Sequence, residues 1–416
     1  MIWPLYYLSI YVMIIGIRIS ALWSQKSRLW ISGRKNWLKK IKEIPPAAGP
    51  RIWIHVSSLG EFEQARPVIE KMKVSHLDPE IILTFFSPSG YMIRSDYPLA
   101  TVLYLPADIP GNAEKWVDHI RPDLAVFVKY DLWPGYLQAL SKQKIPAILF
   151  SAHWTPNHQW SSWNLPPARD LLKRFRMIFL QREDHLNFFS DKGYKRLAVA
   201  GDTRIDRSLH LPGEVEERLP SALKDLGPFD IVAGSTWPAD EQLLMPVIEK
   251  YHLKVIIAPH DVSRNNIERL MRTLPYPAAR LSELDELKAG QETWRIVVVD
   301  SIGVLNVLYA LGRVAYIGGG LGRGIHNTLE AMAHSKPLIF GPRHEAFPEA
   351  VDMVKAGGAF AVRNEKELGD VVSQLLAPGR AERAGRTCHD YLLAHAGASD
   401  VVSKYIVESI PYGPES

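Results

Sequence analysis

A chain of 416 residues, 47% of them hydrophobic, is too long for one ordinary core, and its formal net charge of +4 gives no reason to expect nucleic acid along its surface. Its single cysteine, Cys388, excludes an intramolecular disulfide and argues against a cysteine-built zinc site. The 14 histidines show no HExxH or comparable ligand spacing, so two domains are expected, with no metal, no cofactor and no nucleic-acid partner.

Residues 2–23 are apolar except for Ser, Gly and Arg18, and as a helix they are about long enough to cross a bilayer. The following stretch interleaves Lys26, Arg28, Arg34, Lys35, Lys39, Lys40 and Lys42 with Trp30 and Trp37, an interfacial composition. We therefore expect a membrane anchor over 1–24, with a helix lying in the membrane surface as its main variant. A basic juxtamembrane segment and linker over 25–50 should follow it. The positive-inside rule keeps the basic residues and the body that follows on the cytoplasmic side, against an anionic membrane surface.

After the linker EIPPAAGP, short apolar runs alternate with helical stretches: RIWIHV, EIILTFF, ATVLYLP, DLAVFVKY, IPAILFSA, MIFLQ and LAVAG. Continuous rather than alternating hydrophobicity is what strands buried on both faces require, so a parallel sheet covered by helices is predicted. The pattern restarts after about residue 210 with FDIVAGS, KVIIAPH, RIVVVD, VAYIGGG and KPLIFGP. Two Rossmann-like α/β domains, 51–210 and 211–416, are expected to face a central cleft, with ligands beyond the carboxyl ends of the strands.

In HVSSLGEFEQARP the chain leaves a strand through Gly60 and places Glu61 and Glu63 at a helix start. A carboxylate repels phosphate there, but it suits removal of a proton from an acceptor; Glu63 serves the helix dipole. FVKYDLWPGYL and FSAHWTPNHQW put Lys129, Tyr130, Asp131, His153 and Asn157 at further strand ends. In the second half, IVAGSTWPADE offers Gly234, Ser235 and Thr236 as donors to a phosphate or as plain helix-capping residues. IIAPHDV places Pro259 and His260, and VVVDSIGVL places Ile302 and Gly303, at similar exits. The densest signal is IGGGLGRGIHNTLEA, where Gly318, Gly319, Gly320, Gly322 and Gly324 permit close backbone approach. A helix is expected to begin near His326, with Glu330 accepting ribose hydroxyls. The stretch is not a Walker A loop and does not match a simple Rossmann fingerprint.

Taken together, HVSSLGE, GSTWPADE, IGGGLGRGIHNTLEA and FGPRHEAFPEA resemble the motifs of the Kdo (3-deoxy-D-manno-octulosonic acid) transferases of lipopolysaccharide synthesis, from the N-terminal segment to about residue 390. The resemblance implies a GT-B glycosyltransferase fold, CMP-Kdo as donor and a lipid A precursor (lipid IVA) as acceptor. It implies an inverting transfer with Glu61 as general base, and CMP contacts by Pro259, His260, Ile302, Gly303, Val304, Asn327, Thr328, Leu329 and Glu330. Ser235, Thr236 and Gly320 fall to the donor's phosphate, and Arg204 with the basic N-terminal region to the acceptor's phosphates. The sequence departs from the family pattern at Ala258-Pro259-His260, where an arginine is missing, at Val304 in place of a glutamate, and at KYDLWPG. A UDP-sugar transferase or epimerase of the same fold stays open as an alternative, as does a membrane-tethered nucleotide-sugar sensor. A hydrolase built on Ser57 or Ser58 with His55 lacks the GxSxG elbow.

Overall fold

The computed structural model describes residues 2–129, 131–153, 170–191, 193–224, 226–286 and 294–410. The apolar runs form two all-parallel sheets. The first contains β1 (Arg51–Val56), β2 (Glu80–Phe85), β3 (Thr101–Tyr104), β4 (Leu124–Val128), β5 (Ala147–Ala152), β6 (Phe175–Leu180) and β7 (Leu197–Val199). Their order is β3-β2-β1-β4-β5-β6-β7, with β1 central and His55 level with Thr84 on one side and Phe127 on the other. Every residue of β1, β4 and β5 is buried, as helices on both faces demand.

The second sheet contains β8 (Phe229–Thr236), β9 (Val255–Pro259), β10 (Ala278–Arg280), β11 (Ile296–Val298), β12 (Gly312–Ile317), β13 (Leu338–Phe340) and β14 (Ala359–Ala361), ordered β10-β11-β9-β8-β12-β13-β14. The edge strands β10 and β14 were not anticipated. They read AAR and AFA, without the run of large or β-branched apolar residues that marks equally short strands such as IVV and LIF.

Two compact units result, Met1–Arg207 with Ala396–Ser416, and Ser208–His395. The break falls within a few residues of the expected 210, but the expectation that 211–416 forms one unit is corrected at its end. Helix Ala398–Ser409 belongs to the first unit, where Val402 and Ile406 share a core with Phe62, Ile69 and Met72 of helix Leu59–Lys73. Asp206 fastens its start, accepting from the Gly397 and Ser399 amides at 2.6 Å each. An amphipathic helix announces that it has an apolar face but not which surface will cover it.

The N-terminal region differs from expectation more. Ile2–Ser20 is helical, but among the described residues no helix is long and apolar enough to cross a membrane. One side of this helix meets the first unit: Ile10 is buried, and the Tyr6 hydroxyl donates to Asp108 Oδ2 at 2.7 Å. Residues 25–50 are not merely a linker. Helices Gln25–Gly33 and Trp37–Lys42 pack onto the sheet's helical layer, with Ile41 in the core beside Trp116. Arg34, read from the sequence as surface charge, is buried. Its guanidinium donates to the carbonyls of Leu105 (2.8 Å), Phe86 (2.7 Å) and Trp30 (3.2 Å), and it lies 4.0 Å from the centroid of the Trp30 ring. Burial pulls this guanidinium down to about 9, with Tyr104 and Tyr136 opposing the shift. Gly33 precedes it because a side chain there would run into the Tyr104 ring.

Hydrogen bonds from a charged donor to buried carbonyls contribute roughly 1.5–3 kcal/mol apiece and leave costly orphans when removed. Arg34→Ala is therefore expected to destabilise the first unit by about 3 kcal/mol in urea unfolding, and Arg34→Lys to recover only part of that, since a point charge cannot reach three carbonyls in a planar fork.

Candidate active site

In the first unit the polar side chains gather where strands end. β1 stops at Val56, Ser57 and Ser58 turn the chain, and helix Leu59–Lys73 opens with Glu61 in its first turn. The Ser58 hydroxyl donates to Glu61 Oε2 at 2.6 Å, and the Ser57 hydroxyl donates to Asp131 Oδ1 at 2.6 Å. Glu63 points elsewhere and pairs with Arg94 at 2.9 Å. Adjacent serines of one turn thus each hold a carboxylate, Glu61 from the helix that follows and Asp131 from the exit of β4. Asp131 is buried, and that burial, together with the Glu61 charge, pushes its carboxyl well above the usual range against the pull of Ser57 and Trp133.

Behind Asp131 lies His55, fully buried, its Nε2 3.7 Å from Asp131 Oδ2 and its Nδ1 2.8 Å from Thr84 Oγ1. Trp53 Nε1 donates to the same Thr84 oxygen at 2.9 Å. Burial, reinforced by the Arg34 charge, lowers His55 to about 3, so it is a neutral ring at physiological pH. Its place in the core also removes it from any partnership with Ser57 or Ser58 as a hydrolytic pair, since neither hydroxyl bonds to it.

At the exit of β4, Lys129 takes a left-handed backbone, φ +64°. Burial and the neighbouring Arg204 lower its ammonium, while Glu61, Asp202 and Asp131 favour its charge. Arg204 itself grips Asp202, with Nη2 to Oδ2 at 2.5 Å and Nε to Oδ2 at 2.9 Å. Burial would raise the Asp202 carboxyl, but Arg204 and Lys129 outweigh it and hold it below the usual range. His153, at the exit of β5, meets His185 edge to face with centroids 4.7 Å apart; burial, then His185 and Lys129, lowers His153 to about 4. Tyr130 and Asn157 lie outside the described residues.

In the second unit Asp240 organises the corresponding rim. It is buried one turn into helix Pro238–Lys250, and its oxygens accept from the Trp237 amide, the Gly319 amide and the Tyr316 hydroxyl, each at 2.9 Å. One carboxylate thereby ties the exit of β8 to the exit of β12. Ser235 is left-handed at φ +54°, while the buried Thr236 hydroxyl turns inward to Glu241 Oε1 at 3.3 Å. The glycine-rich segment is tight for backbone reasons. A Cβ on Gly318 would strike the Ser235 carbonyl, and one on Gly320 would strike the Gly341 backbone.

The helix expected near His326 begins three residues later, at Leu329, and spans only Leu329–Ala333. That leaves His326 in the loop. Trp237 Nε1 donates to His326 Nε2 at 3.0 Å, and the ring of His260 stacks on both, 4.6 Å from each centroid. Asn327 Nδ2 donates to Glu330 Oε1 at 3.0 Å, and the Glu330 charge adds to burial in raising the Tyr309 hydroxyl well above its usual range. Thr328 and Leu329 are buried, as is Pro259, whereas Ile302 is 82% exposed. Gly303 has φ +96° and its carbonyl accepts from Arg218 at 2.8 Å; Val304 caps helix Leu305–Leu308. Sequence reading overlooked Trp237, Asp240, His326 and Asp202. The signals were present as WPAD, as the histidine before Asn327 and as the acid two residues before Arg204.

Two doubly wound parallel sheets, each with its polar groups gathered where strands end, make this an α/β protein of two Rossmann-like domains. The fold is shared with the UDP-GlcNAc 2-epimerase from Methanocaldococcus jannaschii, at TM-score 0.54 and 15% identity over 83% of this chain and 99% of that one. Residues 31–207 match the family model described as 3-deoxy-D-manno-octulosonic-acid transferase (kdotransferase). Among relatives, the 3-deoxy-D-manno-octulosonic acid transferase of Aquifex aeolicus is 26% identical over 341 residues, 78% of this chain and 86% of that one. The enzyme of the same description from Haemophilus influenzae is 25% identical over 400 residues, 88% and 89% of the two chains. The chain thus matches a Kdo transferase model over residues 31–207 and has Kdo transferases as relatives over most of its length, in agreement with the resemblance of its motifs.

The His55 environment has a measurable signature. With a folded value of about 3 against an unfolded value of 6.5, the unfolded chain binds the extra proton between those limits, so His55 costs stability as pH falls below 6.5. The stability advantage of the parent over His55→Gln is expected to shrink by about 1.6 kcal/mol in all between pH 6.5 and 5 in urea melts, where an exposed histidine would give a flat difference.

Proposed function

We propose that this chain is a glycosyltransferase that moves Kdo from CMP-Kdo to a lipid A precursor, lipid IVA, in lipopolysaccharide core assembly. The observation that carries the reading is Glu61, inside the matched Kdo transferase domain, held at a strand exit by the Ser58 hydroxyl. In the proposed step the acceptor hydroxyl gives its proton to the Glu61 carboxylate as its oxygen bonds to the anomeric carbon of Kdo. The bond from that carbon to the CMP phosphate oxygen breaks, the electron pair leaves with CMP, and the configuration inverts.

The second unit supplies the donor site in this reading. Asn327 and Glu330 are paired for ribose hydroxyls, and His260, Ile302 and Val304 border CMP. Gly303 and Ser235 present backbone groups to it, while Pro259, Thr236, Gly320, Thr328 and Leu329, all buried, shape the loops beneath. In the first unit Lys129 and Arg204 sit beside Glu61 as cations for an anionic acceptor; Arg204 engages it while retaining Asp202 as its orienting partner.

Membrane attachment belongs to the same proposal. Leu5, Leu8, Val12, Ile15, Ile19 and Leu22 are exposed at alternating three- and four-residue spacings, an apolar stripe along helix Ile2–Ser20 and its continuation. Lys26, Arg28, Lys39, Lys40 and Lys42 follow it. A helix lying in the cytoplasmic face of the inner membrane, with these cations among anionic headgroups, fits such a pattern.

Incubation of the detergent-purified protein with freshly generated CMP-Kdo and a bisphosphorylated tetraacyl lipid A precursor, followed by mass spectrometry of the lipid, tests the reading. One or more added Kdo masses are expected, with Glu61→Gln slower by at least about a hundredfold, the usual contribution of a general base. Transfer from a UDP-sugar instead, or nucleotide binding without product, would replace it; near-normal turnover by Glu61→Gln would remove Glu61 from the base role.

A further inference from the structure

Three flat rings arrive at one rim of the second sheet from three different strand exits. Trp237 follows β8, His260 follows β9, and His326 lies in the glycine-rich segment after β12. The indole and the His326 imidazole differ by only 14° in orientation, with centroids 6.5 Å apart, and a hydrogen bond of 3.0 Å joins their edges. Edge-joined and nearly coplanar, they make a single plate. His260 lies against that plate, 4.6 Å from each centroid and tilted by 24° and 22°.

The arrangement is fixed from below. Asp240 holds the Trp237 amide and the Gly319 amide together, which sets the spacing of the loops that carry the indole and His326. Because an indole N–H only donates, His326 Nε2 must accept, and the neutral ring then carries its proton on Nδ1. Burial and the adjacent His260 both lower His326, which keeps it in the neutral form the bond needs.

Core packing does not account for the plate. An indole used for packing is normally covered, yet Trp237 is 43% exposed and His260 is exposed outright. Parallel aromatic surface kept at the solvent, at the strand ends where open α/β sheets bind ligands, is the arrangement that extends by one more flat ring.

We propose that Trp237 and His326 form a rigid backing plate for His260, and that this three-ring stack holds the planar pyrimidine base of the nucleotide donor by stacking. The inference rests on the donor-site reading given above and adds to it two residues, Trp237 and His326, and a part of the ligand, the base. Trp237 and His326 act as positioning residues, and His260 is the ring in line to touch the base. Hydrogen bonds to the rim select the sugar and phosphate; the stack selects for a flat ring of any edge pattern.

Calorimetric titration of the full-length protein with cytidine 5′-monophosphate and with ribose 5-phosphate, which lacks the base, separates stacking from phosphate binding. Cytidine 5′-monophosphate is expected to bind the parent more tightly than ribose 5-phosphate. Trp237→Ala should weaken cytidine 5′-monophosphate about tenfold and leave ribose 5-phosphate within about twofold, and Trp237→Phe, which keeps a flat ring, should stay within about threefold for both. Equal weakening of both ligands by Trp237→Ala, no weakening of either, or no base-dependent affinity in the parent would each overturn the stack. If uridine 5′-monophosphate binds in preference to the cytidine compound, the donor reading fails, and the same variants titrated with the uridine compound decide the stack independently. A thermal melt of each variant confirms that it is folded before titration.

Discussion

A strand with helices on both of its faces can carry almost no polar side chain, and the architecture of this protein follows from that constraint. β1, β4 and β5 are buried throughout, so chemistry is confined to the residues immediately after each strand, where the chain turns toward its helix. Glu61, Lys129, His153, Ser235, His260 and Ile302 all stand at such exits or one short turn beyond them. His55 is one of a few buried polar residues within the strands of the first sheet, with Arg51, Thr84 and Ser151. It sits within β1, is fully buried, and is tolerated because it is neutral and bonded to Thr84 on the neighbouring strand.

Buried or partly buried aspartates fasten these exits. Asp131 accepts from a serine hydroxyl, Asp206 from two amides of the returning helix, Asp240 from two amides and a tyrosine hydroxyl, and Asp202 from the neighbouring Arg204. A carboxylate has four lone-pair sites, so one side chain can anchor groups from several segments at once. The balance of donors decides its charge. Asp202, beside Arg204 and Lys129, is held ionised, while Asp131, buried near Glu61, is pushed toward its neutral form.

At the N-terminus the same chemistry shows how composition misleads. Seven basic residues between 26 and 42 read as one interfacial surface, yet Arg34 is withdrawn into a cage of Trp30, Phe86 and Tyr104, and Ile41 is in the core. The apolar segment before them is helical as expected, but it reaches the first unit through Tyr6 and Ile10 and presents its stripe outward on the other side. Charge counted along a sequence says how much of it there is, not which groups have found carbonyls.

Two parallel sheets, twelve of the fourteen described strands, the turn that carries Glu61 and the resemblance to Kdo transferases were legible along the chain. These are local or periodic signals: a run of apolar residues suffices for a doubly covered strand, and a turn motif carries its own backbone geometry. Legible only in three dimensions are the membership of Ala398–Ser409 in the first unit, the burial of Arg34, and the stacking of Trp237, His260 and His326. Each of these depends on groups tens to hundreds of residues apart meeting in space. The physical reason is the same in every case: a side chain's partner is chosen by packing, and packing brings together residues that no spacing along the chain relates.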